Sequence, residues 1–233
     1  MTKRIWELDA LRGLCILGMV IVHFFYDLRV SGIIDPNALL SFAQDWGGML
    51  FLLLSGICVT LGRRHLRRGL LVFLCGMICS AVTAGMYVFG FAGKSMIIYF
   101  GVLHCLGTCM LLWSVFSRMP TWLLAAVGAL LAAVGLLYIQ DALVDVPWLI
   151  PLGFRFPGFA SSDYFPLLPN LGYFLLGAVL GRTLYRRKTS LLPRVNAQRV
   201  PIRFLCLCGR SSLWIYLLHQ PLLTGILAIA ELF

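Results

Sequence analysis

The chain contains few charged residues, and acidic residues are the rarer kind. Charged residues make up 12% of its 233 residues, and only nine of them are Asp or Glu. A soluble domain usually carries about 25% charged residues and is about 45–50% apolar. This chain is 61% hydrophobic, with a mean hydropathy of +0.92. The composition therefore excludes a soluble enzyme, a nucleic-acid-binding domain and a disordered tail.

The chain also lacks the cysteine spacing of a secreted disulfide framework or of a zinc site. All eight cysteines lie in or at the ends of apolar runs. Cys75 and Cys79, like Cys105 and Cys109, have the i,i+4 spacing of neighbours on a helix. Because free cysteine behaves as a small buried hydrophobe, we expect packing residues here and no metal cofactor.

Long apolar runs fill most of the chain and predict an all-α, polytopic integral membrane bundle. A spanning helix needs about 20 mostly apolar residues, and about seven segments meet this length. They are residues 10–28, 40–62, 69–90, 95–117, 120–139, 166–184 and 209–231. We see no internal repeat and no second domain, so residues 1–233 are interpreted as a single transmembrane domain.

Lys and Arg predict how the spans are oriented. If the N-terminus is cytoplasmic, the 19 basic residues lie on the inner side except Arg29, Lys94 and Arg155. Cytoplasmic loops are rich in Lys and Arg, so we expect a multi-pass protein of the inner or plasma membrane with a cytoplasmic N-terminus. The net charge of +10 is thereby assigned to topology, and no nucleic-acid partner is expected.

The longest loop, residues 140–165, is expected on the outer side. A linker would be polar, but this loop is rich in proline and aromatic residues. We therefore expect it to pack over the helix ends as a lid.

The first span carries ionisable residues, which are costly in a membrane and tend to mark function. Arg12 and His23 are 11 residues apart, which places them on one helix face about 16 Å apart along the axis. Asp27 follows His23 at i+4, close enough to orient the imidazole. The alternative is that Arg12 is an interfacial anchor and His23 a hydrogen-bonded packing residue.

Three of the four histidines fall at similar depth in their spans. His23 and His104 are each about 18 Å from the inner side, and His219 lies in the last span, two residues before Pro221. This layer predicts a shared buried site, although equal depth alone does not establish contact. His65 lies in a basic stretch and is interpreted as part of a solvated loop.

Two aspartates lie close to predicted helix starts. Asp45 opens the second apolar helix in the run Asp-Trp-Gly-Gly, and Asp163 leads from the long outer loop into the sixth span. Asp163 has two interpretations, which stay equally open. It is either a functional residue or a signal for the start of that helix.

Several of these segments resemble the heparan-alpha-glucosaminide N-acetyltransferase catalytic-domain family, which is related to the acyltransferase-3 membrane acyltransferases. They occur in family-like order over almost the whole chain. The segments are residues 7–14 (ELDALRGL), the Arg12 to His23 spacing, and residues 51–56 (FLLLSG), 101–107 (GVLHCLG), 163–169 (DYFPLLP) and 212–221 (SLWIYLLHQP).

The resemblance implies transfer of an acetyl or other acyl group across the membrane. Acetyl-CoA would be the cytoplasmic donor, and a sugar or glycan on the other side would be the acceptor. Arginine binds phosphate through its fork of N–H groups, so the donor phosphates are expected to meet inner arginines, or these arginines only enforce topology and contact anionic lipid. The candidate donor-binding residues are Arg12, Arg63, Arg64, Arg182 and Arg210.

The same resemblance suggests a division of roles among the buried residues. Lysosomal relatives place a catalytic histidine in the loop after the first span, but residues 28–44 contain none, so the catalytic role falls to His23, as general base or as transient acyl acceptor. Asp27 or Asp45 would orient it. His104 and His219 would line the tunnel and stabilise the oxyanion, and Asp163 would face the acceptor.

Two other functions remain open at this stage. The buried Arg, Asp and His residues also suit a transporter or flippase of a small anionic or lipid-linked substrate, with a proton relay. A non-catalytic membrane scaffold with the acyltransferase fold is the other alternative. Membrane lipid and a glycan or small-molecule acceptor are the expected partners, and a homodimer is among the assemblies that the sequence allows.

Overall fold

Helices account for 73% of the structure, a computed structural model. It describes residues 4–30, 32, 33, 35, 38–139 and 142–230, without the side chains of residues 30, 38–45, 228 and 230. The helices are α1 (Trp6–Val30), α2 (Ala38–Leu61), α3 (His65–Val88), α4 (Val102–Phe116), α5 (Thr121–Val134), α6 (Leu167–Leu184), α7 (Val200–Arg210) and α8 (Ser212–Ala230). Within these residues there is no strand, and the predicted all-α class is confirmed.

Each predicted span overlaps one of these helices, α1 to α6 or α8. Four helices are long and apolar enough to cross a membrane in the part of the chain that is described: Trp6–Arg29, His65–Val88, Thr121–Ile139 and Leu167–Leu184. Three shorter apolar helices are Trp46–Leu61, Val102–Phe116 and Ser212–Leu227. A multi-pass membrane protein is therefore supported, while the count of seven spans and the cytoplasmic N-terminus stay predictions.

The chain divides into two compact units. The first comprises Met1–Leu54 with Tyr185–Phe233, and the second comprises Ser55–Leu184. The interpretation of residues 1–233 as a single domain stays a prediction, and the units are described in turn.

In the first unit, α1 packs in parallel against α7 and α8 through a close backbone contact. A Cβ on Gly13 would collide with the carbonyl of Leu205, and a Cβ on Gly209 would collide with the carbonyl of Asp9. Small residues let helix backbones approach in this way. Near the same end, the thiol of Cys206 contacts the carbonyl of Trp6 at 3.4 Å, so α7 follows α1 from its first turn onward.

In the second unit, α3 pairs with α4 and α5 pairs with α6. Glycines permit both pairings, since a Cβ on Gly107 would lie 2.8 Å from the carbonyl oxygen of Gly69 and one on Gly172 would lie 2.6 Å from that of Gly128. Cys105 and Cys109 are fully buried, as the packing interpretation of the cysteines predicts.

The long loop that precedes α6, expected on the outer side, is tied to the segment that precedes α4. The hydroxyls of Ser161 and Ser162 donate to the carbonyls of Ile97 and Met96, each at 2.8 Å. The backbone N–H of Phe165 donates to the carbonyl of Phe100 at 2.9 Å. The expected packing of this loop over a helix end is therefore seen at α4. The ring of Phe159 also contacts those of Tyr99, Phe156 and Tyr164.

Candidate functional site

Helices α1 and α8 bring two of the predicted histidines into contact. The ring centroids of His23 and His219 lie 5.0 Å apart, and the rings are nearly perpendicular at 81°. Nδ1 of His219 lies 2.5 Å from the backbone carbonyl of Tyr216. Because a carbonyl only accepts, this contact assigns the imidazole proton to Nδ1. In the neutral ring, Nε2 of His219 then carries the lone pair of a proton acceptor.

Asp27 and Gln220 complete this group, which we call the histidine cluster together with His23, Tyr216 and His219. Nε2 of Gln220 donates to both carboxylate oxygens of Asp27, at 3.3 Å and 3.1 Å. The Gln220 side chain also interacts with His23, and Asp27 interacts electrostatically with His219. The Gln220 amide thus links the carboxylate of Asp27 to the imidazole of His23, and orientation of His23 by Asp27 through direct contact stays a prediction.

A second polar group lies near the N-terminal end of α1. Asp9, which is 8% exposed, accepts a charged hydrogen bond from Nε of Arg210 at 3.1 Å. Arg12 and Arg4 each lie 3.9 Å from the same carboxylate. Asp9 and His23 are 14 residues apart, or about 21 Å along the helix axis. The structure therefore brings two predicted donor-binding residues together at Asp9, far from the histidines.

His104 belongs to the second unit, where it caps the start of its own helix. Its Nδ1 accepts the backbone N–H of Gly101 at 3.2 Å, and its Nε2 lies 3.4 Å from the hydroxyl of Ser80. That hydroxyl donates to the carbonyl of Ile98 at 2.6 Å. With Nδ1 accepting, the proton lies on Nε2. Both ring nitrogens of this 2% exposed residue are therefore used in structural bonds, and its assignment to the oxyanion stays a prediction.

Asp163 stabilises the start of α4. Its Oδ2 accepts the backbone N–H of Val102 at 3.0 Å, one of the N–H groups that a helix start leaves without an intrahelical partner. A Cβ on Gly101 would collide with this carboxylate, so glycine is required beside it. The helix-start interpretation of Asp163 thus describes a real contact, but with α4 instead of the sixth predicted span.

The remaining predicted residues have different surroundings. Arg182 donates to the carbonyls of Met119 and Ser117 at 2.7 Å and 2.6 Å, and its guanidinium carbon lies 5.1 Å from the centroid of the Trp113 ring. It therefore stabilises the turn between α4 and α5. Two further candidates, Arg63 and Arg64, are exposed between α2 and α3. The side chain of Asp45 lies outside the described residues. The donor-binding assignment of these arginines stays a prediction.

Sequence reasoning missed two members of the histidine cluster, Tyr216 and Gln220. Gln220 was detectable as a polar residue inside an apolar helix, beside His219. Tyr216 contributes its backbone carbonyl, for which a sequence gives no signal. Among the described residues, no three His, Cys, Asp or Glu side chains are grouped so as to hold a metal ion.

These observations define a multi-pass helical membrane protein with ionisable residues inside its candidate spans. The profile described as heparan-alpha-glucosaminide N-acetyltransferase, catalytic, matches residues 4–221. The chain therefore belongs to the heparan-alpha-glucosaminide N-acetyltransferase catalytic family, and membership implies a membrane acetyltransferase. Searches of curated proteins and of solved structures give no match.

Proposed function

We propose that the protein transfers an acetyl group from cytoplasmic acetyl-CoA to a hydroxyl or amine of a glycan or sugar on the other side of the inner or plasma membrane. The contact between His23 and His219 within a helix pair carries this proposal. Imidazoles are the commonest general acid–base catalysts, and family membership gives them an acyl transfer to catalyse.

In the proposed reaction, His23 removes the proton from the acceptor as its oxygen or nitrogen attacks the thioester carbonyl. The C–S bond then breaks, and the CoA sulfur leaves with the proton that His23 had taken. Asp27 acts through Gln220 to hold His23 in position. The Nδ1 proton of His219 is bound to a carbonyl, so its neutral ring offers Nε2 as an acceptor and suits a proton relay with His23 better than donation to an oxyanion.

The separation of the two polar groups supports transfer across a membrane. Arg12 and Arg210 surround Asp9 near one end of α1, and the histidine cluster lies about 21 Å further along that helix. Arginines at the end suit the phosphates of the donor. In this proposal, CoA approaches from the arginine end, and the acceptor approaches from the histidine end.

The test is acetyl transfer by the purified protein in liposomes, with radiolabelled acetyl-CoA inside and a glucosaminide outside. His23→Ala is expected to lower transfer by about 10²-fold or more, since a general acid–base residue contributes about that much, while CoA binding is retained. His65→Ala is the matched control, because His65 lies at the start of α3 and outside the histidine cluster.

Transfer that is unchanged in the His23 variant would remove the central role of the histidine cluster. Folded wild-type protein that binds no CoA would refute the enzyme itself. Proton-coupled uptake of a small anionic substrate into such liposomes would then favour the transporter, and no uptake would favour the scaffold.

A further inference from the structure

A groove of about 550 Å³ lies in the first unit, along the exposed side of α7 and beside the start of α1. Its walls carry two arginines, two aromatic rings and one amide. They belong to Arg203, Arg210, Trp6, Phe204 and Gln198. Arg203 and Phe204 are exposed. The groove thus combines cationic and flat apolar groups at the arginine end of α1.

The two arginines lie on one face of α7. They are seven residues apart, which is close to two helical turns and about 10 Å along the axis. Arg210 donates to Asp9 through Nε, and its guanidinium, 48% exposed as a side chain, has two further nitrogens that can donate to phosphate. Two such groups at this spacing suit two separate phosphates of one ligand.

The aromatic side chains add a second kind of recognition. The indole of Trp6 and the ring of Phe204 both line the groove, and nucleobases stack on such rings whatever their sequence. A lipid headgroup would use the arginines but has no flat base to stack. The combination therefore favours a nucleotide over a phospholipid.

The groove lies on the same helical path as the histidine cluster. Ser211 separates α7 from α8, but it bonds to the carbonyl of Leu207 and accepts from Ile215, each at 3.0 Å, so the helical hydrogen bonding is nearly continuous. Arg210 and His219 are nine residues apart, or about 14 Å along this path. An extended pantetheine arm bridges a distance of this order.

We propose that this groove binds the nucleotide part of the acyl-CoA donor, with the phosphates against Arg203 and Arg210 and the adenine against Trp6. The inference rests on the proposed acetyl transfer and locates its donor. It also adds Arg203, Trp6 and Gln198 to the candidate donor residues.

The experiment is calorimetric titration of the full-length protein in nanodiscs with CoA, dephospho-CoA and pantetheine. Arg203→Ala is expected to weaken CoA binding about tenfold or more, since it removes a charge-assisted hydrogen bond, and to leave pantetheine binding unchanged. Arg199→Ala is the matched control, because Arg199 is an exposed arginine next to α7 that does not line the groove. Its CoA affinity is expected to match wild type.

Equal effects of the two arginine substitutions would overturn the groove as the donor site while leaving the acetyltransferase intact. The same holds if Arg203→Ala alters binding of anionic lipid but not of CoA, because the groove is then a lipid site. Wild-type protein that binds no CoA would refute the proposed function instead. Trp6→Ala provides a second variant. It is expected to weaken the binding of CoA and dephospho-CoA but not that of pantetheine. Undiminished affinity for both nucleotides would overturn the stacking role of Trp6.

Discussion

Substitution of Asp163 separates its two roles, the cap of α4 and contact with the acceptor. Asp163→Ala removes the acceptor for the N–H of Val102, and loss of a helix cap costs about 1 kcal/mol, up to about 2 kcal/mol. Asp163→Asn keeps a side-chain oxygen for the N–H of Val102 and loses the charge near the helix start, which contributes about 0.3–1 kcal/mol. If Asp163 acts by capping, the Asn variant should be the more stable of the two and should retain most of the acetyl transfer.

The measurement is the free energy of unfolding in detergent by denaturant titration, together with transfer activity. Asp145→Ala is the control, since Asp145 is an exposed aspartate of the same loop. The capping argument fails if Asp163→Ala is as stable as this control. A folded Asn variant that loses transfer would instead support a direct role of the carboxylate with the acceptor.

Two further predictions concern the helix contact and the loop. Gly209→Ala should lower the thermal stability of the purified protein, because the new Cβ would collide with the carbonyl of Asp9. Gly225→Ala is the control and should not lower it, because a Cβ at that position meets no neighbouring element within 4 Å. Equal melting temperatures would contradict the close packing. Burial raises the pKa of Tyr164 to about 12, so the neutral phenol favours the folded state, and this stabilisation should be lost as the pH rises from about 10 towards 12. The ultraviolet titration of wild type minus that of Tyr164→Phe should show one tyrosine ionising near the upper value, and ionisation near 10 would contradict the burial.

Most of the helices were predictable, because the length of an apolar run can be read directly from a sequence. Helix α4 is shorter than its predicted span. Residues 95–117 were predicted as a span, but the helix covers only Val102–Phe116. Ile97 and Ile98 use their backbone groups to bond serine and threonine side chains instead. Helix α7 lies mostly in the stretch between the sixth and seventh predicted spans, whose arginines were placed on the inner side, and no helix was predicted there.

The site was predictable only where both partners lie on long helices. The contact between His23 and His219 agrees with their similar depth in the first and last spans, which could be worked out because the rise per residue of a helix is fixed. The contact of Asp163 with Val102 joins residues 61 positions apart in sequence, through a loop whose path no periodicity describes. Gln220 as the partner of Asp27 likewise depends on the rotation of α8, which a sequence does not give.

The glycine contact between α1 and α7 determines how a packing slip in one helix affects the rest of the first unit. A slip of one residue in α7 would turn that helix by about 100° and shift it by 1.5 Å. Since α8 continues α7 almost without interruption, the same turn would reach His219. Gly13 and Gly209 therefore set the rotation and height of α7 and α8 together. A misfit at this contact would misalign both the polar group around Asp9 and the histidine cluster.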